Sequence, residues 1–180
     1  MTLVQAVIAE SGSAVIMVAD RLLTRTVSRG MVPYEFESVE PKIYSRDNVV
    51  VGFAGSELWA QRIRSSIEES ERKDFDKVVE LVSRWVRQER ERIICDEIRR
   101  RTGVGYDEFF KNSNLPIPTG VREMIYAFMG EMERAIVDVH CLVAGFDEKH
   151  QARLSMIDQE GDVLELTNTC LLYTSPSPRD

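Results

Sequence analysis

The chain has no apolar run long enough to span a membrane. Its first residues lack a basic leader followed by an apolar stretch and a small-residue cleavage site, so a secretory signal is not expected. Cysteine is scarce. Cys95, Cys141 and Cys170 are the three in the chain, and none stands in a CxxC or zinc-type spacing. Without an export signal, reduced thiols in a cytosol are the expectation. The two histidines, His140 and His150, fit no metal or triad pattern; a strand and a turn are their expected places. No internal repeat is present. Basic residues are the minority, 23 against 30 acidic ones, and the net charge of -7 argues against a general nucleic-acid binder.

What is present suits one soluble globular domain: 180 residues with 43% hydrophobic content can bury a substantial core. Thr2 to Ala9 is nearly all apolar or small, Glu10-Ser11-Gly12-Ser13 is a turn signal, and Ala14 to Ala19 is apolar again. The pair predicts a buried hairpin whose strands, apolar on both faces, are covered on both sides. Asp20-Arg21 ends the second run. Leu22 to Glu40 reads as a loop or a weak edge hairpin. Lys42 to Ser45 and Asn48 to Phe53 predict a further strand pair. Ala54-Gly55-Ser56 marks a strand-to-helix switch, with Ser56 as N-cap and Trp59, Ile63 and Ile67 at helical spacing.

A second helix is predicted from about Asp76 to Arg100, with an apolar stripe (Val78, Val82, Val86 and others) opposite a solvated face of paired Arg and Glu. Gly103 to Gly120, holding Pro116 and Pro118, reads as an irregular insert. A helix over Arg122 to Ala135, a strand over Val137 to Phe146 and a hairpin over Leu154 to Leu166 complete the pattern. Helices do not alternate with strands, so a doubly wound parallel sheet is excluded. Stacked sheets with helices outside fit the order.

The last residues, Cys170 to Asp180, resemble the translation of a transposon sequencing adapter at every position. The expectation is a native-like domain over 1–169, a non-native tail over 170–180, and a natural chain that continues past Thr169.

Four short motifs occur in order: Thr2 at the start of the first strand, Val18-Ala19-Asp20-Arg21, Pro41-Lys42-Ile43-Tyr44, and Gly52-Phe53-Ala54-Gly55-Ser56. Val143-Ala144-Gly145-Phe146-Asp147 and Met156-Ile157-Asp158-Gln159-Glu160-Gly161 follow. In this order they resemble proteasome β subunits and their relatives among the N-terminal-nucleophile (Ntn) hydrolases, over roughly Thr2 to Leu166. The resemblance implies an α+β fold, an αββα sandwich of stacked antiparallel sheets covered by helices, here C-terminally truncated. It implies no metal or other cofactor, a peptide or protein substrate, no nucleic acid or membrane partner, and allows a homo-oligomeric ring.

The chemistry that the resemblance assigns is coherent. A Thr hydroxyl is a weak nucleophile and needs a base, and a free N-terminal Thr2 carries its own in the α-amino group. That group has a reference pKa of about 7.7–8.0, close to working pH. Met1 has to be removed first. Lys42 supplies a cation that disfavours protonation of its neighbour, Asp20 holds and balances Lys42, and the Gly55 amide donates to a developing oxyanion. Thr24 corresponds to a position whose backbone aligns the substrate as an added strand, and Phe53 lies near the specificity pocket. Asp138 stands near an assisting Ser of the family; it can replace that Ser as a hydrogen-bond acceptor or simply start its strand. The implied activity is a threonine-type peptidase working through an acyl-enzyme. The same intermediate serves an amide ligase, and a third reading is a non-catalytic assembly subunit that keeps only the fold.

Overall fold

The computed structural model describes residues 3–9, 12–25, 34–37, 41–71, 74–105, 118–132, 137–167 and 171–174. Thr2, residues 106–117 of the expected insert, and the Ser/Pro end of the tail lie outside them.

The chain divides into two compact units, one formed by residues 1–85 and 138–180, the other by 86–137. The first holds the strands. β1 (Leu3–Ala9) pairs antiparallel with β2 (Ala14–Ala19), from Val4 opposite Ala19 to Ala9 opposite Ala14. The predicted hairpin is therefore present, and Gly12 near its turn has a φ of 96°, the left-handed region that glycine tolerates. β3 (Leu22–Arg25) and β4 (Tyr34–Glu37) form a two-stranded ribbon, the hairpin form of the expected loop or weak hairpin. β5 (Ile43–Arg46), β6 (Val49–Gly55), β7 (Val139–Phe146), β8 (Ala152–Ile157) and β9 (Val163–Leu166) follow in sheet order, every neighbour antiparallel. β10 (Leu171–Thr174), in the stretch expected to be a non-native tail, pairs antiparallel with β1 on the side away from β2.

Period-two alternation explains how the first and last of these sheets meet. Val4 and Ala6 of β1 are buried with Ala54, Leu142, Ala144 and Leu154 of the five-stranded sheet, and Val15, Met17 and Ala19 of β2 pack on the same cluster. Gly52 permits the approach. A Cβ there would lie 2.5 Å from Val4 Cγ1 and 2.9 Å from Met17 Sδ. The other face of β2 departs from expectation: Ile16 and Val18 are each 52% exposed. An apolar strand face predicted to be covered is open here, because composition reports only that a face can be buried, not that a layer reaches it.

Two helices belong wholly or partly to this unit. α1 (Glu57–Glu69) starts where β6 ends and turns Ile63 and Ile67 inward. Ser56 occupies the N-cap with extended backbone angles, as expected, although its side chain makes no cap bond. α2 (Phe75–Thr102) begins with Phe75, Val78 and Val82 buried. Ser83 Oγ of α2 donates to the Gly161 carbonyl at 2.6 Å, tying the helix to the β8–β9 turn. That turn is built by Asp158, whose Oδ1 accepts from the Glu160 and Asp162 amides at 2.9 Å each. Asp147 does the same between β7 and β8, accepting from Lys149 and Gln151, with His150 in its turn at a φ of 56°.

The second unit contains the remainder of α2 and α3 (Thr119–Met132). Along α2 the expected solvated face is present: Arg92 pairs with Glu89 and Asp96, and Glu97 with Arg100 and Arg101, all three or four residues apart. Among the described residues no helix is long and apolar enough to cross a membrane.

The Gly52 notch gives a stability prediction. Gly52→Ala forces a methyl against Val4 and Met17, and overpacking of this kind costs about 1–3 kcal/mol. Urea unfolding should show a lower midpoint with an unchanged slope; an unshifted midpoint would mean that the two sheets yield freely at this point.

Candidate active site

Asp20 follows the last residue of β2 and is the centre of the arrangement. Its backbone N–H donates to the Leu3 carbonyl at 3.0 Å, extending the β1–β2 ladder by one rung. The reciprocal bond is made by the side chain: the Leu3 N–H donates to Asp20 Oδ2 at 2.9 Å. The other carboxylate oxygen accepts from Lys42 Nζ. Lys42 comes immediately before β5, and its side chain is only 8% exposed against 24% for Asp20. A cation this deep requires a counter-charge, because desolvation of a lone ammonium costs several kcal/mol. The carboxylate thus joins the start of β1 in one sheet to the start of β5 in the other. Leu3 N is also the nitrogen of the peptide bond to Thr2.

Gly55 closes β6 with a φ of 115°. A Cβ at this position would lie 2.5 Å from the Asp138 carbonyl oxygen, so both its backbone angle and its surroundings require glycine. The ladder fixes where its amide points. Ser56 N–H donates to the Asp138 carbonyl at 2.6 Å, and Phe53 N–H donates to the Lys42 carbonyl at 2.9 Å. Amides alternate along a strand, so the Gly55 N–H shares the Lys42 edge of β6 with that of Phe53. A backbone donor at the end of a strand, held by a turn that requires glycine, is the type of group that stabilises developing negative charge.

The remaining expected residues are placed as follows. Phe53 is 6% exposed, lies opposite Cys141, and alternates away from the inner face that holds Gly52 and Ala54. Its backbone N–H bond to the Lys42 carbonyl links it to the site. Thr24 lies on β3, opposite Glu35 of β4. Asp138 is exposed, and its Oδ1 accepts from Gln159 Nε2 at 3.3 Å. Its carbonyl, rather than its carboxylate, braces the Gly55–Ser56 turn. Asp20, Lys42 and Gly55 are thus brought to the same ends of neighbouring strands, while Thr2 lies outside the described residues.

Sequence reasoning passed over one residue here. His140 shares a rung with Ala54 and, with Val4 and Gly52, lines a narrow gap between the sheets. Burial holds its pKa below the usual imidazole value, against the pull of Asp158 and Asp138. The signal was its parity with Leu142 and Ala144 on β7. Cys141, on the other face, is fully buried, and burial pushes its thiol far above the normal range, which suits a packing residue and not a nucleophile.

No family model matches the sequence, and no curated protein matches it. Among solved structures, the chain is similar to an Anbu (Gly-1) mutant from Hyphomicrobium sp. strain MC1, with a TM-score of 0.57 and 15% identity. The match covers 98% of this chain and 61% of that one, so the chain spans about three fifths of the neighbour's length. At this identity the likeness is one of fold: antiparallel sheets with a few helices.

Breaking the central pair should be costly. Asp20→Asn keeps an oxygen for the Leu3 amide but removes the negative charge that Lys42 Nζ contacts, and a loss of about 3 kcal/mol is expected. Lys42→Met should cost less, and the double variant less than the sum of the two. Strict additivity in chemical denaturation would show that the pair carries no coupling.

Proposed function

We infer that this chain is a proteasome-like Ntn hydrolase that cleaves peptide bonds through an acyl-enzyme at Thr2 once Met1 is removed. The observation that carries this reading is the Asp20 carboxylate, shared between Lys42 Nζ and the Leu3 N–H. It holds a buried cation and the peptide nitrogen next to Thr2 on one anchor. The Gly55 amide on the Lys42 edge supports the same reading, as does the fold likeness to Anbu, a proteasome-like Ntn-type peptidase.

In this mechanism the Thr2 hydroxyl attacks the substrate carbonyl carbon while the α-amino group takes the hydroxyl proton. Lys42 disfavours a charged amine, and the Gly55 N–H donates to the oxyanion. The amine fragment of the substrate leaves with the proton, and Thr2 keeps the acyl group as an ester. Water then attacks the ester, releases the carboxylic acid and restores the hydroxyl. If an amine attacks in place of water, the product is a new amide. Thr24 on β3 offers backbone for an extended peptide, and Asp138 braces the oxyanion turn through its carbonyl.

The test is covalent labelling of the Met1-free protein with a threonine-directed electrophile, read by intact mass and peptide mapping. One adduct at Thr2 is expected. It should be abolished in Thr2→Ala and reduced by about 10²-fold or more in Gly55→Ala, the scale for loss of an oxyanion donor. A free amine at Thr2 that takes no label would favour the non-catalytic assembly reading. Incubation of a cleaved peptide with a competing amine separates the two enzymatic outcomes: an amide product marks ligation, and hydrolysis products alone exclude it.

A further inference from the structure

His140 takes no part in the chemistry above, yet it lines a gap with Val4, one residue beyond the Leu3 amide that Asp20 holds. Alternation along β7 places its ring on the inner face with Leu142 and Ala144. Its rung partner, Ala54, is the residue before Gly55. With Val4, Gly52, Ala54, Leu142 and Met156, and beside Cys141, the half-buried His140 lines a narrow gap. Val4 is the next residue after Leu3, whose N–H is held by Asp20. A change in the volume or charge of this ring therefore acts on the first residues of β1 and, through them, on the nitrogen bonded to Thr2.

We propose that His140 is a positioning residue for the reaction at Thr2: its neutral ring packs under Val4 and seats the start of β1 against β6, and protonation of the ring loosens that seat. The proposal rests on the threonine-type reading for its catalytic consequence and on packing alone for its structural one.

The groups around the ring decide which form the fold favours. Asp138, two residues earlier, and Asp158, just past β8, both favour the imidazolium. β1, β6 and β8 present Val4, Gly52, Ala54 and Met156, none of them charged. The Cys141 thiol on the same strand is kept protonated by burial, and the Lys42–Asp20 pair is internally neutralised. Burial outweighs the two carboxylates, so the folded chain favours the neutral ring. An unfolded histidine titrates near 6.5. Below that value the unfolded chain binds more protons than the folded one, and stability falls as pH falls through the window just beneath it.

The test uses the full chain with Thr2 exposed, in wild type, His140→Gln and His140→Leu. The labelling rate at Thr2 and the thermal midpoint are followed from about pH 8 to about pH 5, the range of histidine switching. The α-amine titrates in all three proteins, so the informative quantity is the ratio of variant to wild-type rate. That ratio should rise once the pH falls beneath the folded ring's own midpoint, which burial holds under the ordinary imidazole value, by up to about tenfold per pH unit, while the variants' thermal midpoints fall less than the wild type's from about 6.5 downward. A constant rate ratio together with parallel midpoints overturns the proposal. If neither variant folds, the wild-type imidazole NMR titration decides. A midpoint below the ordinary value, with Val4 methyl shifts following it, supports the proposal, and Val4 methyls that ignore the titration overturn it. If no protein labels at any pH, the threonine reading fails, whereas the midpoints and Val4 shifts still test the hold of His140 on β1.

Discussion

One carboxylate joins the two sheets where the candidate chemistry is placed. Asp20 accepts from the Leu3 amide with one oxygen and from Lys42 with the other. Each donor has a different need. The amide stands at the end of a ladder, where the partner strand's carbonyl no longer serves it. The ammonium is almost wholly buried and cannot rely on water. A single charged acceptor meets both needs, and charge-assisted bonds are stronger than neutral ones. The start of β1 and the start of β5 therefore cannot move independently without breaking one of these two bonds.

Two missing side chains complete this geometry, and they act in different directions. Gly52 removes bulk between the sheets, so that Val4 and Met17 of the β1–β2 hairpin settle directly on β6. Gly55 removes bulk within the sheet, so that the Asp138 carbonyl can approach the end of β6 and take the Ser56 amide. The first sets how far β1 stands from β6. The second sets which way the last amides of β6 point. The site is shaped as much by what two positions of one strand lack as by its charged groups.

Much of this was legible in the sequence, for identifiable reasons. Strands such as Val163–Leu166 and the β1–β2 hairpin follow from apolar runs and turn residues, which are local signals. The Asp20–Lys42 pair was named because the resemblance to proteasome β subunits assigns it, not because of local pattern, and the structure brings the two residues into contact. The open outer face of β2 was not legible, because exposure depends on distant segments. Nor was the role of the Asp138 carbonyl: backbone groups carry no residue code, and the acidic side chain drew the attention instead. His140 escaped because it was weighed as a ligand or a base, when its strand parity already placed it among core residues.

The chain has two tryptophans, and they form one pair. Trp59 of α1 and Trp85 of α2 meet edge to face, ring centroids 6.1 Å apart, and the Arg62 guanidinium sits 5.0 Å from the Trp59 ring. All indole emission, and any exciton signal in circular dichroism, therefore originates at a single helix–helix seam. Such a spectrum reports whether α1 and the start of α2 have met and is silent about the first residues of β1. A preparation can look fully native by fluorescence while its amino-terminal strand is unseated.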